Sequence, residues 1–294
     1  MKRLALIFDK VREDTLGVYV ERAAQQLGIP ATHFWMRDAE AIPSGYDLYL
    51  RIDHGEYSRD LPGRLSPRIF YASDTHLPNS WRQIRRVAAR YDLLCCAHRD
   101  GAERLPNAVW VPVACDVELH GRKPFDKRWD VAFVGTEGGV PRKFYLQALR
   151  ERYPNSFIGH APHTELGAIY SRAKFGFNYS IRQDINMRMF EILAGGALLV
   201  TNGLAHDDLA MLGLREGEHL AVYRRPRELF ERIEHYLEHE REREAIALRG
   251  MQQVHQHHTY RHRLQQILQT AEARLGVRLP MKPPADIEVP TCAS

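Results

Sequence analysis

Short apolar runs alternate with amphipathic stretches along most of this chain, and that alternation limits its fold more than any other feature. In the first half, residues 4–8, 32–36, 46–52, 68–72, 93–96 and 108–113 read as strands. Between them, residues 14–27 carry Leu16, Val20, Ala23, Ala24 and Leu27 at helical spacing and stop at Gly28, a residue suited to a helix C-terminus. Residues 80–91 and 101–104 read as further helices. Residues 114–128 hold Gly121, Pro124 and a cluster of charges without periodicity, and read as a linker. The alternation then restarts, with strands at 130–134, 156–159, 175–179, 198–201 and 219–222 and helices at 141–153, 164–173 and 187–194. From Pro226, well placed for a first helical turn, the pattern is helical over 226–240, 241–255 and 260–275. Strands alternating with helices suggest parallel, doubly wound sheets. The expected class is α/β, with two doubly wound domains (residues 1–120 and 129–275) facing a cleft and an extended tail over 276–294.

Composition removes several other classes. Hydrophobic residues make up 44% and charged residues 27% of the 294, which suits a soluble globular protein and not a disordered one. No apolar run approaches the roughly 18–20 residues of a membrane-spanning helix. The basic start Met1-Lys2-Arg3 precedes only five apolar residues before Asp9-Lys10, too few for a signal sequence, so it reads as a buried first strand. Cys95, Cys96, Cys115 and Cys292 lack zinc-finger spacing and are too few for a disulfide scaffold, so they read as thiols of a reducing cytoplasm. The net charge of +4 is too small to point to nucleic acid. Of the cationic residues, seven are lysine and thirty-four arginine, whose planar fork suits phosphate and carboxylate; a GC-rich genome gives the same bias.

In doubly wound sheets, ligands bind outside the carboxyl ends of the strands, so candidate chemistry belongs in the loops that follow them. One such loop is Gly135-Thr136-Glu137-Gly138-Gly139, after which Pro141-Arg142-Lys143 opens a helix. Glycines let backbone amides approach an anion, the helix N-terminus favours negative charge, and Arg142 adds a cationic partner. The plain alternative is a flexible turn with a solvated helical start. The loop is neither a P-loop nor a G-x-G-x-x-G fingerprint, which removes support for ATPase and dehydrogenase chemistry. A second stretch runs from Phe177-Asn178-Tyr179-Ser180 through Asp184-Ile185-Asn186-Met187-Arg188-Met189-Phe190-Glu191 to Gly195-Gly196 and a strand. Arg188 and Glu191 lie three apart and share a helical face. Glu191 suits the hydroxyls of a ribose and Arg188 a phosphate; an exposed ion pair, worth about 0.2–0.5 kcal/mol, is the alternative.

Two further strand ends pair a carboxylate with an imidazole: Asp53-His54, and Asp74 with His76. A general base for a hydroxyl needs such groups, and turn capping is the alternative. Among the fifteen histidines, His258 and His262 have the i, i+4 spacing of zinc ligands. Nothing in the sequence completes a ligand set there, so no metal is expected.

The run Asn186–Thr201 resembles the donor-domain motif of GT-B glycosyltransferases, most closely the CgeB-type, spore-maturation-protein-like group. Arg249-Gly250 followed by His258-Thr259-Tyr260 and Arg263 is similar to the closing signature of the same group, and the resemblance covers roughly residues 130–270. It implies two Rossmann-like domains and a nucleotide-diphosphate sugar as donor, with Glu191 on the ribose. It further implies donor contacts from Asn178, Asn186 and Arg188, and diphosphate contacts from Gly135, Thr136 and Arg142. The group's second acidic residue falls eight positions earlier, where this chain has Gln183, with Asp184 beside it. Helix dipoles and cationic side chains, not a metal, would face the leaving diphosphate. The acceptor hydroxyl, on a glycan, lipid-linked or other molecule, would meet the first half, with Asp74, His76, Asp53 and His54 as candidate catalytic groups. A cytoplasmic enzyme follows, at the inner face of the membrane where the acceptor is a lipid. A nucleotide-sugar-binding protein without transferase activity, or an epimerase or hydrolase on the same fold, are the competing readings. Base, sugar, stereochemistry and oligomeric state stay open.

Overall fold

The computed structural model describes residues 2–204 and 206–282. Residues 2–113 and 260–282 pack as one unit, and residues 114–259 as a second. In the first unit the chain runs β1 (Leu4–Ile7), α1 (Leu16–Gln26), β2 (Ala31–Phe34), β3 (Leu48–Ile52), β4 (Arg68–Ala72), α2 (Pro78–Ala88), β5 (Leu93–Cys96), α3 (Arg99–Glu103) and β6 (Ala108–Trp110). The second unit comprises α4 (Val117–His120), β7 (Trp129–Val134), α5 (Arg142–Arg152), β8 (Phe157–Gly159), α6 (Leu166–Ser171) and β9 (Ala173–Asn178). It continues with α7 (Met187–Ala194), β10 (Leu198–Asn202), α8 (Asp208–Met211), β11 (Ala221–Tyr223), α9 (Pro226–Glu238) and α10 (Glu240–His257). Helix α11 (Tyr260–Leu275) then returns to the first unit.

Both sheets are parallel, in the orders β2-β1-β3-β4-β5-β6 and β11-β10-β9-β7-β8. Parallel strands covered on both faces favour apolar side chains; β1, β3, β5 and β10 are buried at every position, with Arg51, Thr201 and Asn202 the polar exceptions. The helices contribute one apolar stripe each. In α2, Trp81, Ile84, Val87 and Ala88 face the first core. In α7, Met189, Phe190, Ile192 and Leu193 are buried, leaving Arg188 and Glu191 half-buried on the other side. Each sheet reverses its winding direction once, between β1 and β3 in the first unit and between β7 and β9 in the second. Such a switch point opens a crevice at the carboxyl ends of the strands, where ligands bind.

The alternation of strands and helices agrees with the sequence, and the α/β class with two doubly wound sheets is what the chain forms. Two differences stand out. The stretch 114–128, which reads as a linker, contains α4, a single turn whose start is capped when the Asp116 carboxylate accepts the Glu118 amide at 3.0 Å. One turn is too short to show periodicity. Residues 260–275, which adjacency to 241–255 places in the second domain, pack on the first unit instead. Tyr260 stacks on Tyr19 of α1 at 5.0 Å, and Arg263 and Gln266 donate to the carbonyls of Pro112 and Trp110. Lys282 donates its amide to Leu27 O at 2.9 Å, so the start of the expected tail lies along the first unit; residues 283–294 lie outside the described residues.

Candidate active site

The second unit's switch point gathers most of the residues that the sequence singles out there. Strand β7 ends at Val134, and the loop leaves through Gly135 at φ +137 and Gly138 at φ +66, both in the region that favours glycine. Arg188, in the first turn of α7, reaches across to β7. Its Nε donates to Val134 O at 2.9 Å and its Nη1 to Asn178 Oδ1 at 3.4 Å, so one guanidinium spans the two strands that flank the switch. A Cβ at Gly135 would stand 2.5 Å from Arg188 Nη2, and one at Gly138 would stand 2.3 Å from Arg142 Nη2. The two glycines thus leave the space that two guanidiniums fill. Arg142 donates from Nε to Glu137 O at 2.9 Å.

Both guanidiniums lie over the ring of Phe133, 4.5 Å and 5.9 Å from its centroid. Burial, and then the neighbouring Arg188, push the Arg142 pKa down; Asp184 acts in the opposite direction. Neither arginine belongs to an ion pair among the described residues. Two half-buried cations side by side repel, and a bound dianion offsets that cost through charge-assisted hydrogen bonds.

The other candidates of this unit fall into distinct places. Asn178 is fully buried; its Nδ2 donates to Thr201 Oγ1 at 3.0 Å and its Oδ1 accepts from Arg188 Nη1, which helps hold the guanidinium. Asn186 precedes α7 without capping it, and its side-chain oxygen is buried with no hydrogen-bond partner among the described residues. A buried acceptor left unpaired at a helix entrance fits a ligand hydroxyl. Glu191 lies one turn beyond Arg188, and Thr136 is exposed in the glycine loop. The connection from β9 to α7 is fixed internally: Ser180 Oγ donates to Asp184 Oδ1 at 2.6 Å, and Asn202 Oδ1 accepts the Ser180 amide at 2.7 Å. Within it Gln183 takes φ +55, the one non-glycine residue in the left-handed region among the described residues. Such backbone strain clusters at functional loops.

In the first unit, Asp53 and Asp74 meet at the ends of β3 and β4. Asp53 is 4% exposed and accepts from the Gly55 amide (2.9 Å), Tyr57 Oη (2.8 Å), the Ser73 amide (3.0 Å) and the Asp74 amide (3.5 Å). With both oxygens occupied by donors, it ties two loops together. The side chain of His54 is 2% exposed, with Nδ1 3.2 Å from Ile52 O and Nε2 3.6 Å from Asp9 Oδ2. Asp74 and His76 are half-buried, and the His76 ring lies 3.9 Å from that of His98. The first unit's switch point also contains a residue that the sequence reading passes over, Asp9. It follows β1 and accepts the Met36 amide at 2.7 Å while facing His54. The rule that picks out Asp53 and Asp74, a carboxylate just after a strand, would have found it. Away from both switch points, His255 and His258 each turn a ring nitrogen to a backbone carbonyl, Ala194 O at 3.1 Å and Leu212 O at 2.7 Å.

The fold has solved counterparts. Anabaena HepE, crystallised with UDP, is 12% identical over 93% of this chain and all of its own, with a TM-score of 0.64. Sucrose-phosphate synthase from Thermosynechococcus elongatus is 10% identical over 94% of this chain and all of its own, with a TM-score of 0.65. The BGT of phage T4, crystallised with UDP-glucose, is 12% identical over 92% of this chain and 99% of its own, with a TM-score of 0.60. These likenesses establish the GT-B fold. No curated protein matches the chain by sequence. The sequence model of one family, described as glycosyl transferase-like, matches residues 104–269. That span is more than half of the chain and contains the whole Gly135–Glu191 constellation, so the chain belongs to the glycosyl transferase-like family.

Proposed function

We propose that this glycosyltransferase holds the diphosphate of a nucleotide-sugar at the β7–β9 switch point and moves the sugar to a hydroxyl of an acceptor bound by its first unit. The observation that carries this reading is the pair of guanidiniums, Arg142 and Arg188, gathered around Phe133 beside two glycines. As the bond from the anomeric carbon to the diphosphate oxygen breaks, negative charge grows on the diphosphate, and preorganised cations stabilise it. Glu191 accepts the ribose hydroxyls, and Asn186 Oδ1 accepts a further donor hydroxyl. The acceptor oxygen bonds to the anomeric carbon and gives its proton to His76 or Asp74, the half-buried groups of the first unit. Asp53 and Asn178 act by positioning. We assign the leaving-group charge to the arginines, so transfer should continue in EDTA.

A uridine nucleotide is the first donor to test, because HepE and the T4 enzyme were crystallised with UDP and UDP-glucose. On the runs Asn186–Thr201 and His258–Arg263, we place the chain in the CgeB-like group. We assign a cytoplasmic location on its buried, reduced thiols Cys95, Cys96 and Cys115. No helix among the described residues is long and apolar enough to cross a membrane. Any membrane contact is assigned to a lipid-linked acceptor.

Calorimetry with UDP, dTDP, GDP and ADP tests the donor site. One nucleotide should bind. Arg188→Ala and Glu191→Ala should each weaken it by a factor of ten to a hundred, the loss of a charged hydrogen bond worth about 1.5–3 kcal/mol, with the fold intact by circular dichroism. Failure of all four to bind, or full affinity in both variants, would sink the assignment.

A further inference from the structure

We infer that the acceptor is an uncharged or amino-bearing carbohydrate, held in a polar pocket of the first unit between the loop after β3 and the first turns of α2. This rests on the transferase reading, since it names that reaction's second substrate. The pocket has a volume of about 410 Å³ and is lined by Glu56, Tyr57 and Ser58 on one side and Asn79, Ser80 and Gln83 on the other. Small-molecule sites span roughly 300–1,000 Å³, so there is room for one or two sugar rings.

The walls are fixed before any ligand arrives. Tyr57 Oη donates to Asp53 Oδ2 at 2.8 Å, which ties the phenol to the end of β3. Burial, and then the charge of Asp53, push the Tyr57 pKa up, so the phenol keeps its proton. Beneath the loop lies Arg51, 1% exposed, whose Nη2 donates to Glu56 O at 3.1 Å and whose Nη1 donates to Asp60 Oδ1 at 2.9 Å. Asp60 in turn accepts from Tyr91 Oη and from Arg90. A buried arginine that reaches up to a loop carbonyl fixes that loop more firmly than loop contacts alone. Preorganisation of this kind lowers the entropic cost of binding.

The lining decides the class of ligand. Two carboxamides, two hydroxyls and a phenol offer donors and acceptors at close spacing, which matches adjacent sugar hydroxyls. The Tyr57 ring adds an apolar edge for sugar C–H groups. Glu56 brings the one fixed charge. Its carboxylate accepts the Ser58 amide at 2.6 Å, and hydrogen bonds from Ser58 hold its pKa below the ordinary value, so it is anionic at neutral pH. No lysine or arginine lines the pocket, in a chain with 41 such residues. A phosphorylated or carboxylated acceptor would meet the Glu56 carboxylate, with Arg86 engaged by the Gln83 carboxamide (Nη1 to Oε1, 3.0 Å), whereas an amine would gain a counter-ion.

The test is binding of methyl glucoside, glucosamine, glucuronate and glucose 6-phosphate to the full chain, read by saturation-transfer NMR at low salt. The first two should bind, and the two anions should bind at least tenfold more weakly. Glu56→Lys, at an exposed position, should reverse the order, and Asn79→Trp should abolish binding of all four by filling the pocket. UDP affinity should be unchanged in both variants. Equal or tighter binding of the anions, or sugar binding that survives Asn79→Trp, overturns the proposal. If UDP binds and no sugar does, the pocket assignment falls while the transferase reading stands. If the sugars bind as expected and no nucleotide does, the donor site has failed and the pocket remains.

Discussion

Arg188 is held by the protein before any ligand arrives. Its Nε is spent on Val134 O and one terminal nitrogen on Asn178, which leaves the Nη2 edge beside Gly135, where we propose that the diphosphate binds. Asp53 is the corresponding residue of the first unit, but it faces inward and collects four donors from two loops. Removing it strands those donors. Asp53→Ala should therefore lower the unfolding free energy by about 2–4 kcal/mol, since bonds to a buried charge are worth about 1.5–3 kcal/mol and unpaired partners add to the loss. Urea denaturation reads this directly, and a change under 1 kcal/mol would return Asp53 to the list of chemical candidates. At this scale the sequence marks carboxylates at strand ends without dividing their labour. A carboxylate after a strand can serve a substrate or the backbone, and only its hydrogen-bond partners tell which.

The loop after β7 works as an element because two glycines remove side chains where two guanidiniums must lie. Gly135→Ala adds a Cβ at a backbone angle that L-residues avoid, 2.5 Å from Arg188 Nη2. Nucleotide affinity should fall at least tenfold while α5 and α7 persist; an alanine variant that binds normally would mean that the guanidinium has no fixed place. On the opposite ends of the same strands, the segment before β7 is pinned by Lys127, whose ammonium donates to Ala173 O at 2.8 Å and Gly196 O at 3.0 Å. Burial lowers its pKa from 10.5 to about 8. The folded pKa is below the unfolded one, so the folded state releases the proton first. Below about pH 8 the cost of burying the charge is present in full, and between about 8 and 10.5 it is relieved as pH rises. Relative to Lys127→Gln, the wild type should gain stability from pH 7.5 to 9.5 in urea titrations. A constant difference would contradict the assignment.

Over the whole molecule, two sheets of the same winding each supply one switch point, and α11 completes the first unit from the far end of the chain. That helix buries Leu264, Ile267 and Leu268, each worth about 1.5–3 kcal/mol. Ending the chain at Thr259 should destabilise the first unit by more than about 4 kcal/mol, seen as an early thermal transition. The second unit, residues 114–259, retains every proposed donor contact, so UDP should still bind within a few-fold. Loss of UDP binding together with the early transition would show that the two units fold as one.

The sequence by itself determined the α/β class, most of the order of strands and helices, and the strand-end loops in which candidate residues are sought. Those follow from local periodicity and from residues such as Gly135 and Pro226, whose meaning depends on a few neighbours. Tertiary structure decided the rest. It tied Asn178 to Arg188 and Asp53 to two loops, brought Asp9 to His54, placed Arg51 under a pocket loop, and sent α11 back to the first unit. Apart from the Arg51–Glu56 contact, these join residues ten or more positions apart, and the burial and hydrogen bonding that fix them leave no periodic trace in the sequence.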